Sequence, residues 1–163
     1  MYALSTDELL DFCSAETQRW RDWFKANAGT LDLPIDIAQA KTVRELVLHI
    51  LAVELRYAER LLEETVTEYD QLPTATVDEL FAAAERSANK LCDFMKSADE
   101  AEWKKIMTFP TRSAGTLSAS KRKIFAHALL HGMRHWAQLA TFLRQKGHKQ
   151  PWPHDLIFSD VLS

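Results

Sequence analysis

The chain has 163 residues, 47% apolar and 26% charged, with a formal charge of -3. That length supports one well-packed core rather than two domains, and the composition is that of a folded chain rather than a disordered one. The acidic balance argues against a nucleic-acid partner, which calls for a basic surplus.

Four glycines and five prolines leave little punctuation, which favours long helices over many strands. Residues 1–8 place no basic residue ahead of an apolar run, so no signal peptide is expected. The most apolar stretch, 46–55, is interrupted by His49 and Glu54 and is too short to span a bilayer. A soluble cytoplasmic protein with no membrane partner is expected. Cys13 and Cys92 form no pattern within apolar helical stretches and are read as free thiols of a reducing compartment.

Three segments open with a hydroxyl residue followed three positions later by Glu: Ser5 and Glu8, Thr42 and Glu45, Thr76 and Glu79. This is the capping-box pattern, in which the hydroxyl and the Glu side chain each satisfy an orphan backbone N–H. The first helix is expected over 6–28, with Leu9, Phe12, Cys13, Glu16, Trp20, Trp23 and Phe24 inward and Gly29 ending it in a left-handed turn. Residues 30–41 form a connection longer than the usual helix–helix turn. The second helix is expected over 43–69, carrying an apolar stripe of Leu46, Ile50, Val53, Tyr57 and Leu61 with His49 at its margin. The third spans 77–97.

Residues 97–117 break the helical period and read as a structured loop or short hairpin containing Arg112-Ser-Ala-Gly115. The last helix starts near Ser118 or Ser120 and runs to Lys146, where Gly147 stops it. Lys121-Arg-Lys123 reads as a solvated first turn, poorly placed for the helix dipole. The tail 148–163 carries Trp152, Leu156, Ile157, Phe158, Val161 and Leu162 and is expected to pack back on the helices. The whole chain therefore reads as a single all-α domain built as a four-helix bundle.

The last helix holds the chemistry. His127, His131 and His135 are four residues apart, so successive rings lie on one face with Cβ atoms about 5–6 Å apart, a spacing that lets two imidazoles converge on one metal ion. All three cannot share an ion, because 127 and 135 are separated by about 12 Å of helix. At least one further ligand must come from elsewhere, and His49, Glu16 and Glu54 remain open for that role. Unpaired imidazoles in an apolar face each cost desolvation free energy of roughly 1–3 kcal/mol, which coordination would offset. The bland alternative is a set of hydrogen-bonded core histidines. Trp20, Trp23 and Trp136 read as core or interface aromatics. Arg19, Arg56 and Arg60 read as surface residues, with a cleft for an anionic thiol as the sharper alternative.

The run Thr42-Val-Arg-Glu-Leu-Val-Leu-His49-Ile-Leu-Ala-Val-Glu54 together with His127-Ala-Leu-Leu-His131-Gly-Met-Arg-His135-Trp-Ala-Gln138 resembles the DinB / YfiT-like family, across roughly residues 5–147. The resemblance implies a four-helix-bundle metalloprotein whose divalent ion is held by His49, His131 and His135. Many relatives read His-Arg-Gly-Gln where this chain has His135-Trp-Ala-Gln138, so bulkier surroundings are expected. The resemblance also makes His127 a supporting or structural residue, and Gln138, Glu54 or Glu16 could accept the second ring N–H of a ligating histidine. Three imidazoles leave an open position for water or substrate. Zinc, nickel and iron(II) all suit imidazole, and such an ion activates water or a thiolate. A metal-dependent hydrolase, or a transferase acting on a low-molecular-weight thiol, is expected, as a homodimer. The second reading is a non-enzymatic, metal-stabilised binding or dimerisation module related to stress.

Overall fold

The computed structural model describes residues 4–111 and 115–161. Four long helices dominate: α1 (Thr6–Ala26), α2 (Val43–Leu61), α3 (Val77–Ser97) and α5 (Lys121–Gln145), with a short α4 (Glu100–Lys104) before the last. Helix α2 packs between α3 and α5, and α1 rests on α3 and α5. No helix of the described residues is long and apolar enough to cross a membrane.

The caps follow the sequence pattern closely. Ser5 with Glu8 and Thr76 with Glu79 form complete capping boxes. At α2 Thr42 accepts from the Glu45 N–H, but the Glu45 carboxylate takes the Lys41 N–H instead, so this box is half formed. Ser120 caps α5 by accepting from the Lys123 N–H.

The chain is mostly helical, as expected, with two small antiparallel sheets: an unexpected one in the connection before α2 and the short hairpin expected before the last helix. The first joins β1 (Pro34–Ile37) to β2 (Ala40–Thr42), inside the connection before α2. Its turn residues Ala38 and Gln39 both have positive φ, 53° and 67°. Tight hairpins of this kind normally announce themselves with Asn-Gly or Asp-Gly, which explains why the segment reads as plain loop. The second sheet pairs β3 (Ile106–Pro110) with β4 (Thr116–Ser120), from Ile106 opposite Ser120 to Pro110 opposite Thr116. The expected loop at Arg112-Ser-Ala lies outside the described residues.

Two helix ends also differ. Helix α1 stops at Ala26, where the Asn27 side-chain amide donates to the Trp23 carbonyl, and Gly29 continues into a 3-10 turn without positive φ. Helix α2 ends at Leu61 rather than near 69, with Glu63 at φ 59°. The residues beyond it include the β-branched run Thr65-Val66-Thr67, which disfavours helix. The buried Glu59 carboxylate anchors that loop, accepting from the Thr67 N–H at 2.7 Å and its hydroxyl at 2.6 Å.

The core is aromatic at one end. Trp20 stacks on Trp136 at 5.1 Å, and Phe24 and Phe81 complete the cluster. In the tail, Trp152 and His154 both donate to the buried Glu16 carboxylate, and the His154 ring stacks on Trp20. Ile157 and Phe158 stay 84% and 62% exposed, so those two add no core. Leu162 lies outside the described residues.

Lys121 is the clearest departure. It is not a solvated first-turn cation but 2% exposed, donating to the Leu61 carbonyl and to the Glu63 and Glu102 carboxylates beneath Phe94.

Candidate metal centre

Position 49 sits two turns into α2, between Leu46 and Ile50, which bury the helix against its neighbours. Positions 131 and 135 lie one turn apart on α5, whose Leu129, Trp136 and Leu139 do the same. Packing α2 on α5 therefore brings three rings together at the margin of the apolar seam. The ring centroids of His49 and His131 are 4.9 Å apart, those of His49 and His135 5.1 Å, and those of His131 and His135 4.5 Å. One nitrogen from each lies within 4.8 Å of the other two. With metal–nitrogen distances of about 2.0–2.1 Å, nitrogens on one ion lie no more than about 4.2 Å apart, so small ring rotations suffice.

Burial keeps two of the rings, those of His131 and His135, in the form a cation needs. Burial pushes the His131 pKa down to about 3, assisted by the neighbouring His135, His49, His127 and Arg134. Burial also lowers His135, against the hydrogen bond that its ring donates to Gln138. Neutral imidazoles at pH 7 offer a lone pair, as ligation requires.

The tautomer of His135 follows from its contacts. Gln138 Oε1 accepts at 2.7 Å from Nδ1, so Nε2 carries the lone pair, and Arg134 Nη2 donates to it at 2.9 Å. The guanidinium thus occupies a direction that an ion would take, and ligation requires Arg134 to swing outward. Gln138 does what an outer-shell group must, fixing ring orientation through the second nitrogen. Arg134's contact is not legible in the residue order, since a lone Arg between helix residues is ordinary.

The buried Nδ1 of His131 has no hydrogen-bond partner among the described residues. An unsatisfied buried nitrogen costs on the order of 1–3 kcal/mol, and a cation is one means of satisfying it. The donor set and this orphan fit a divalent ion.

His127, Glu16 and Glu54 are not members of the converging three-histidine group. The His127 ring is 5.6 Å from His131 and 5.3 Å from Tyr57, extending the row away from the triad. Glu16 is committed to Trp152 and His154 in the tail. Arg19 lies 4.0 Å from that carboxylate, and Arg56 pairs with Glu68. Glu54 accepts from the Ser87 hydroxyl at 2.6 Å and lines a cavity of about 130 Å³ between α1 and α3.

Burial raises the Glu54 carboxyl to about 7, with the Ser87 hydrogen bond opposing. A folded pKa above the usual 4.5 means that the fold weakens as pH climbs from about 4.5 to 7, because only the unfolded chain releases its proton readily there. Glu54→Gln keeps an acceptor for Ser87 and removes the titration. Urea melts of metal-free protein should show the variant gaining on wild type by on the order of 2 kcal/mol across that window. Parallel pH profiles would contradict this reading.

The DinB family model matches residues 1–160. No curated protein matches the chain. With that coverage, and with three histidines brought together from two helices, the chain belongs to the DinB family.

Proposed function

We propose that this protein is a divalent-metal-dependent enzyme of the hydrolase or thiol S-transferase type, in which His49, His131 and His135 hold the ion. The four long helices would form the bundle typical of YfiT-like proteins, with its metal at the α2–α5 seam. The observation that carries the reading is the convergence of three imidazoles from two helices, one of them held neutral by burial and carrying an orphaned nitrogen.

A bound divalent ion supplies Lewis acidity, lowering the pKa of a water or thiol and leaving zinc, nickel and iron(II) as candidates. The protein's own residues do the rest. His49 and His131 present ring nitrogens from opposite sides of the seam. Gln138 holds His135 in the tautomer whose Nε2 carries the lone pair. Arg134, freed from that nitrogen, stands at the rim as a cation for an anionic reactant. Three protein ligands leave a position for that reactant, as catalytic sites require and closed structural sites do not.

Metal analysis of protein purified without chelators tests the proposal. Wild type should carry about one ion per chain, and His135→Ala should lose most of it. Equal metal content in the two proteins removes His135 from the ligand set.

A further inference from the structure

Of the three buried glutamates, two are fully engaged. Glu16 accepts from Trp152 and His154, and Glu59 from Thr67 and Arg86. Glu54 differs: among the described residues it accepts only from the Ser87 hydroxyl, on Oε1, and pairs with no cation. Its carboxyl weakens the fold near neutral pH, and carboxyls perturbed in this way cluster at functional sites. The cavity it lines, about 130 Å³, has an apolar wall of Phe81, Ala84 and Ala88 on α3 and the hydroxyls of Ser14 and Thr17 on α1. Arg21 and Glu85 line it too, but they pair with each other. An ionised Glu54 is therefore the charge left without a counter-ion.

We propose that this cavity binds a short primary alkylammonium, its nitrogen on Oε2 of an ionised Glu54 and its stem along Phe81, Ala84 and Ala88. An ammonium is a point charge with three donors and needs one carboxylate oxygen. A guanidinium fork uses both oxygens, and Ser87 already holds Oε1. The hydroxyls of Ser14 and Thr17 supply further acceptors. An engineered cavity of about 150 Å³ takes up benzene, so this one suits a ligand of roughly six non-hydrogen atoms. The site shares no residue with the three histidines, so it stands or falls apart from the metal.

The Glu54 proton leaves as the cation enters, so affinity rises with pH through about 7. The other charged and titratable groups around it are the Arg21–Glu85 pair and, on α1, Cys13, which burial pushes up to about 12. Glu16 lies near Cys13 under the tail, and α5 presents only Gly132 to Oε2.

Titration calorimetry with n-butylammonium and with 1-butanol, its uncharged counterpart of equal length, tests the assignment. At pH 8 wild type should bind the ammonium about tenfold or more tightly than the alcohol. At pH 6 the ammonium should bind about tenfold more weakly than at pH 8, since it stays charged throughout while Glu54 does not. Glu54→Gln, expected above to be the more stable protein near neutral pH, should lose both the preference and the pH dependence. Ala88→Leu fills the cavity, keeps the carboxyl and should bind neither compound. A preference that survives in Glu54→Gln, undiminished binding in Ala88→Leu, an affinity equal at pH 6 and 8, or no binding by wild type overturns the proposal.

Discussion

Lys121→Met protein is expected to be less stable than wild type by about 3–5 kcal/mol, the range for removing one partner from a buried ion pair. The lysine ammonium reaches from the first turn of α5 to the last turn of α2, the exposed Glu63 and the short α4, so three chain segments meet on one charge. Methionine fills the stem volume but strands the Leu61 carbonyl and the half-buried Glu102 carboxylate. Water reaches Glu63, which relieves part of the loss and places the value near the low end. Urea unfolding at pH 7 measures it, and a loss below about 1 kcal/mol would show the cluster to be ornamental.

The same cluster has a pH signature. Lys105 first, then Lys121, hold the Glu63 carboxyl down at about 2. A depressed carboxylate contributes stability above its unfolded value of 4.5, and that contribution fades as pH falls toward 2. The gap between wild type and Lys121→Met should therefore narrow on acidification.

Zinc should stabilise wild type strongly and His131→Ala hardly at all. Structural zinc sites bind with apparent free energies of about 10–16 kcal/mol over four ligands, so one imidazole is worth roughly 3–4 kcal/mol, or about 10²–10³-fold in affinity. Metal at a hundred times the wild-type dissociation constant raises unfolding free energy by about 2.7 kcal/mol. At that concentration the variant should gain a few tenths at most. Without metal the balance changes, because His131→Ala removes the orphaned Nδ1 and its desolvation cost together with some packing. Denaturant melts with and without zinc give both numbers, and an equal zinc increment in the two proteins would eliminate His131 as a ligand.

The sequence and the structure share the long helices because those are local facts. Ser5, Thr42, Thr76 and Ser120 each set a helix start through a bond three residues away, and the apolar period carried α3 to its observed bounds. The i, i+4 pair on α5 was legible for the same reason, since helix geometry alone places His131 and His135 together.

What the sequence by itself determined, then, was the set of elements whose bonds close within a few residues, together with a histidine pair in search of a partner. Tertiary structure alone decided the rest. It placed Arg134 on His135, Glu16 under the tail and Lys121 in the interior, and it set His49, already named by the family resemblance, across the α2–α5 seam. It also closed the hairpin at Ala38 and Gln39 without glycine. Each of these depends on which faces meet, and a face becomes a site only when packing removes water from both sides at once.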